Sequence, residues 1–154
     1  MKDATFTIEF VSHCLASGRS RDPGDKVDRF DKDGSGKLIW KYSWWYSAIQ
    51  QAIKIGSFKG IKPNDVNICL TVNAPIEVFK RRVVEGDNVW YKNHEAIMPG
   101  GQITFEAVVA DHVTEQLLSE VLSRTGKFIG VSPYGHNLGF GRFEVVDVTV
   151  APSV

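Results

Sequence analysis

Three stretches of this sequence hold residue types whose spacing could support chemistry. Asp31-Lys32-Asp33-Gly34-Ser35-Gly36-Lys37-Leu38 places oxygen donors at its first, third and fifth positions, glycine at the sixth and an aliphatic residue at the eighth. That is how an EF-hand calcium loop begins. Calcium takes six to eight oxygens, and such loops end in a bidentate glutamate at position twelve. Here that position is Tyr42. The stretch therefore reads first as a polar Asp-Gly turn, with Asp31, Asp33 and Ser35 as the candidate ligands if a cation binds at all.

The second stretch runs from Val78 to His94 and interleaves cations with aromatics. It contains Lys80, Arg81, Arg82, Trp90, Tyr91 and Lys92. Cations on phosphates and aromatic faces under bases are what single-stranded nucleic acid binding requires. Side chains alternate along a strand, so Lys80 and Arg82 share one face and Arg81 takes the other. The bland alternative is a solvated hairpin whose charges discourage aggregation.

The third stretch, Gly130 to Val145, has four glycines within its first twelve residues. Glycine allows positive φ and close approach of a phosphate, and successive N–H groups can form an anion nest. No Gly-Lys-Ser/Thr follows, so this is not a P-loop. A strand rather than a helix comes next, so it is not a dinucleotide fingerprint either. Metal-free RNA cleavage would need a base and an acid, roles that histidine fills near neutral pH. His13, after the first strand, and His136, in the glycine segment, are the candidates.

These groups must be positioned by a chain of 154 residues with 43% hydrophobic and 23% charged content. That suits one domain spanning 1–154. Eighteen basic residues balance eighteen acidic ones, which argues against strong non-specific attraction to nucleic acid but allows a local basic face. No apolar run reaches the ~20 residues of a membrane helix, and the charged N-terminus does not read as a signal peptide. A cytoplasmic, reducing location is expected, with Cys14 and Cys69 as buried thiols. The cysteine and histidine spacing offers no zinc site, and no cofactor is implied.

Period-two alternation predicts a strand over 4–14, with Phe6, Ile8 and Phe10 on one face. Residues 17–36 read as a long exposed loop. A helix is expected over 42–55, with Ser43 as N-cap and Gly56 as its stop. Strands are expected over 66–72 and 103–109, separated by a hairpin closed around Glu85–Asn88. A second helix opens at Asp111, taken as its N-cap, and stops at Gly126. Residues 127–131 read as extended, and Phe143–Val150 is the last strand. Two β-α-β units separated by a hairpin describe an α+β, ferredoxin-like sandwich with an inserted β-hairpin and a C-terminal Gly-rich loop.

The order strand, helix, second β-α-β unit and terminal Gly-rich loop leading into "GFGRFEV" resembles the RAMP superfamily of CRISPR-associated proteins. The tail "GKFIGVSPYGHNLGFGRFEV" and the turn "DKDGSGKLIW" before a Trp-bearing helix also look like small phage and prophage proteins. The resemblance runs from about residue 28 onward as a pattern, and its specific element is the loop at 130–145. It implies a ferredoxin-like fold that binds RNA, with Gly135, Gly139, Gly141 and Arg142 as candidate contacts and His136 beside them. The chain departs from the pattern in being short, neutral and limited to one such unit.

Three functions follow as expectations. The first is binding of single-stranded RNA or DNA, as a subunit of a CRISPR-type or phage nucleoprotein complex with protein partners. The second is a metal-independent endoribonuclease. The third is a phage-derived structural or protein-interaction module. A membrane partner is not expected.

Overall fold

Ala4, Phe6, Ile8 and Phe10 alternate with polar residues, and all four are buried. This alternation makes β1 (Lys2–Phe10) a strand with one face toward the core. The computed structural model describes residues 1–19, 26–133 and 139–152. After β1 come β2 (Cys14–Leu15), β3 (Gly18–Arg19), β4 (Val27–Arg29), β5 (Leu38–Ile39) and α1 (Tyr42–Gly56). Then follow β6 (Val66–Ile68), β7 (Thr71–Val72), β8 (Ile76–Glu85), β9 (Asn88–Ile97), β10 (Gln102–Val109), α2 (Glu115–Arg124) and β11 (Phe143–Val150).

The main sheet is antiparallel with order β11-β1-β10-β6. Each of its β-α-β units, β1-α1-β6 and β10-α2-β11, contributes two strands, and the fold is α+β and ferredoxin-like. Trp45, Ala48, Ile49 and Ala52 form the buried stripe of α1, and Leu118, Val121 and Leu122 that of α2. Trp45 packs edge-on against Phe6 at 5.6 Å and Phe105 at 5.2 Å between ring centroids. Each large apolar side chain buried this way contributes about 1.5–3 kcal/mol relative to exposure.

A second sheet, β2-β9-β4-β3 with β8 paired to β9, carries the hairpin. Its loop is the two residues Gly86 and Asp87, and the φ of +60° at Gly86 suits glycine. No helix among the described residues is long and apolar enough to cross a membrane.

Several local expectations are corrected. The stretch 17–36 contains β3 and β4, with Asp28 and Phe30 buried, because β4 pairs in parallel with β9. Helix α1 begins after Lys41, not Ser43, and its left-handed C-cap is Ser57, with φ of 51°. The run 66–72 is two strands, since β6 pairs with β10 and β7 with β5. Cys14 is buried, but Cys69 is exposed. Thr114, not Asp111, caps α2 by accepting the Leu117 N–H, while Asp111 pairs with the N-terminal amine. Gly126 does not stop the helix. Residues Thr125–Ile129 continue it as a π turn, and a Cβ at Gly126 would lie 2.2 Å from the Phe143 carbonyl oxygen. Close packing on β11, not a left-handed cap, requires glycine there.

Candidate nucleic-acid interface

The pairing of β8 with β9 sorts the hairpin side chains onto two faces. Arg82 lies opposite Tyr91 and Lys80 opposite Asn93, whereas Arg81 lies opposite Lys92 and Val83 opposite Trp90. Directly paired residues share a face. One face therefore carries Lys80, Arg82 and Tyr91, and the other carries Arg81, Lys92 and Trp90. Trp90 and Tyr91, adjacent in sequence, point to opposite sides. The Lys80 ammonium sits 4.7 Å from the Tyr91 ring centroid, and Lys80, Arg82 and Tyr91 are all exposed. Val84, Val89, Trp90 and Tyr91 add an exposed apolar tip.

On the opposite face the cations are engaged inside the fold. Arg81 Nε donates to His94 Nε2 at 3.2 Å. His94 is fully buried, and its Nδ1 lies 2.7 Å from the Ala16 carbonyl oxygen. A neutral ring that donates from Nδ1 and accepts at Nε2 satisfies both contacts. Burial holds its pKa below the usual value, against the opposing influence of the Ala16 carbonyl and Asp28. Lys92 pairs at 3.0 Å with Asp28, which is itself buried. Glu95, further along β9, accepts from the Phe30 N–H at 3.0 Å and from Lys32 at 2.5 Å, and it pairs with Arg29 at 3.3 Å. The base of the hairpin is thus a buried polar network, and its outer half stands exposed.

The glycine segment meets the hairpin through Ser12 and His13. Ser12 Oγ donates to the Gly139 carbonyl at 2.7 Å and accepts the Arg142 N–H at 2.8 Å. The Gly141 N–H donates to the His13 carbonyl at 2.8 Å, and the Gly141 carbonyl accepts from Val131 at 2.9 Å. Both peptide groups of Gly141 are therefore used within the fold. The His13 ring lies against Phe79 of β8. The Arg142 guanidinium donates to the Lys127 carbonyl at 2.5 Å. Gly135 and His136 lie outside the described residues.

The Asp31–Leu38 turn closes on itself. Asp33 Oδ1 accepts from the Ser35 N–H, the Ser35 hydroxyl and the Lys37 N–H, all within 2.8–2.9 Å. These bonds lower the Asp33 pKa. Among the described residues, no group of three or more His, Cys, Asp or Glu could hold a metal ion. A recess of about 50 Å³ lies near this turn, lined by Ser17, Arg29, Phe30, Asp31, Lys41, Trp44 and Pro133. Its cations, Arg29 and Lys41, and the hairpin residue Phe79 extend the set marked in the sequence. Tyr91 was legible from strand alternation. Arg29 and Lys41 were not, because only tertiary packing brings them beside Pro133. A larger groove, about 560 Å³, lies on the open face of the main sheet between β1, β10 and β6. It is rimmed by Asp3 and Glu106 and has no lysine or arginine in its lining, so it suits no phosphate.

A ferredoxin-like unit with an inserted β-hairpin is the class that this fold and site define. A chain in the cryo-EM structure of the Type III-B Cmr-beta bound to cognate target RNA has a similar fold, with a TM-score of 0.59 and 11% identity. The match covers 99% of this chain and 61% of that one, so this chain spans a little under two thirds of its neighbour's length. At that identity the likeness is one of fold. No family model and no curated protein matches the sequence.

Proposed function

We propose that this protein binds single-stranded RNA on the exposed face of its hairpin, as a RAMP-like component of a CRISPR-type or phage nucleoprotein complex. The observation that carries the reading is the grouping of Lys80, Arg82 and Tyr91 on one exposed face, with the Lys80 ammonium 4.7 Å from the Tyr91 ring. The two cations meet phosphates and the ring offers a stacking platform. Trp90 points to the other side of the hairpin and is not part of this grouping. Phe79 shares the Arg81 face of β8, so the segment at Gly139–Arg142, which His13 joins to Phe79, borders the base of the hairpin on the side away from Lys80, Arg82 and Tyr91. The fold shared with a chain of an RNA-bound complex supports RNA over DNA.

Fluorescence anisotropy of a labelled single-stranded RNA, titrated at several salt concentrations, tests this. Each phosphate contact contributes about 0.7 to the slope of log K against log salt on single strands. Lys80→Ala with Arg82→Ala should therefore flatten the slope by about 1.4. Tyr91→Ala should weaken binding by about 1–3 kcal/mol for one lost stacking contact. Absence of binding at low salt, or a slope unchanged by the double substitution, overturns the reading.

A further inference from the structure

Strand β11 has a ladder partner, β1, on one side only. On its other side a groove of about 390 Å³ runs between the strand and α2, lined by Glu115, Gln116, Ser119 and Glu120 of the helix and Val145–Val148 of the strand. Ala151 N–H donates back to Asp3 at 2.8 Å. Residues alternate along a strand, so the peptide groups of Val150 and Val148 turn away from β1. Val150 confirms the direction, because its N–H donates at 3.0 Å to the Glu115 carboxylate on α2. That side chain takes the place of a strand carbonyl at one end of the edge. Among the described residues, no side chain covers the rest of the edge beside Val145–Val148 in this way.

The exposed lining of the groove is more polar than apolar, and its charged groups are acidic. Val145 and Val148 are partly buried against the core, and Val146 is 54% exposed. Glu115, Glu120 and Asp147 line it, and no lysine or arginine does. The register of β11 against β1 shifts between Thr7 and Ile8, whose partners are Asp147 and Val145, so Val146 is the extra residue of a bulge. A second copy laying its own β11 here would set Asp147 and Glu144 against like charges, which like-charge pairs across a ladder oppose. A polynucleotide would set phosphates against the same carboxylates. A basic strand meets neither obstacle.

We infer that the outer edge of β11 takes an extended segment of a partner protein, in which apolar residues alternate with lysine or arginine, as an added strand. Main-chain bonds to the free edge supply affinity. On the helix side the cations pair with Glu120, and on the other side the apolar side chains cover the exposed Val146.

The test is an amide NMR titration of the full chain with a synthetic peptide alternating lysine with valine. Shifts should concentrate in β11 and the facing turns of α2. Affinity should fall about tenfold or more in Glu120→Lys. It should fall similarly for a peptide N-methylated at alternate residues, which cannot complete the ladder. If the charge-reversed variant fails to fold, Val146→Lys, at an exposed position, carries the same expected loss. Absence of shifts at millimolar peptide overturns the inference, as do shifts centred on the open face of the sheet or indifference to N-methylation. Sedimentation should show a monomer, and a dimer abolished by Val146→Lys would make a second copy the occupant and overturn it too. The RNA titration of Lys80→Ala with Arg82→Ala is independent of all these outcomes.

Discussion

The imidazole of His13 lies 4.1 Å from the ring of Phe79, centroid to centroid, with the planes tilted by 33°. The same residue's carbonyl accepts the Gly141 N–H, so a single side chain and its own peptide join the β8 arm to the end of the glycine segment. Burial lowers the pKa of this imidazole, so the neutral ring is the form that packs. His13→Ala should loosen both neighbours, costing about 1 kcal/mol of stability for the lost aromatic pair, whereas His13→Phe should retain most of it. Hydrogen exchange at β8 and at Gly141 reads the coupling. Equal protection in wild type and His13→Ala would show that the stack joins nothing.

His94 makes stability depend on pH. Its folded pKa lies below the ordinary 6.5 because burial disfavours the imidazolium. As pH falls through 6.5 the unfolded chain takes up a proton that the folded chain does not, so stability declines from there until the folded pKa is reached. Above the ordinary value the contribution is fully present. His13 adds in the same direction. Urea unfolding at pH 7.5 and pH 5 should show this loss, and His94→Gln should reduce it, at a cost near 1–3 kcal/mol at the higher pH for disturbing the contacts with Ala16 and Arg81. A wild type equally stable at both pH values would contradict the assignment of a buried neutral ring.

Glu95 is the acidic hub beneath the hairpin. Its carboxylate is 8% exposed, while its partners Arg29 and Lys32 are 43% and 32% exposed. Solvent can take over much of the cations' share, so the main loss on truncation is the bond to the Phe30 N–H and the support of β4. Glu95→Ala should cost about 2 kcal/mol, with Glu95→Gln intermediate because it can still accept from Phe30. The midpoint of urea unfolding measures both. A neutral Glu95→Ala would mean that β4 is held by its ladder alone.

The two faces of the hairpin should separate binding from stability. Lys92→Ala leaves buried Asp28 without its 3.0 Å cation and should lower stability by about 1–2 kcal/mol, with little effect on the salt slope of RNA binding. Lys80→Ala and Arg82→Ala should do the reverse. Parallel melting and anisotropy measurements on the three variants decide it, and a uniform effect on binding would mean that both faces contact the ligand.

Gly141 has a φ of +73°, and a Cβ there would lie 2.2 Å from the Val131 carbonyl oxygen. Backbone cannot move aside as a side-chain tip does. Gly141→Ala should cost more than about 2 kcal/mol and should weaken RNA binding only as far as it unfolds the protein. Undiminished stability on thermal unfolding would show that the two arms of the segment are not packed as described.

The sequence by itself determined the elements whose burial repeats at a fixed period. The alternation in β1, β10 and β11, the apolar stripes of α1 and α2, and the two-residue turn at Gly86-Asp87 are each set by neighbours along the chain, and together they determined the ferredoxin-like order. Alternation also separated Arg81 from Lys80 and Arg82. Tertiary structure decided what depends on partners distant in sequence. It placed β4 beside β9 and divided 66–72 between two sheets. It used Gly126 and Gly141 for close packing and engaged Arg81 and Lys92 at the hairpin base while leaving Lys80, Arg82 and Tyr91 exposed. Periodicity records which face of a segment is buried, but not which residue a hundred positions away will meet it, and whether a cation is available to a ligand depends on that meeting.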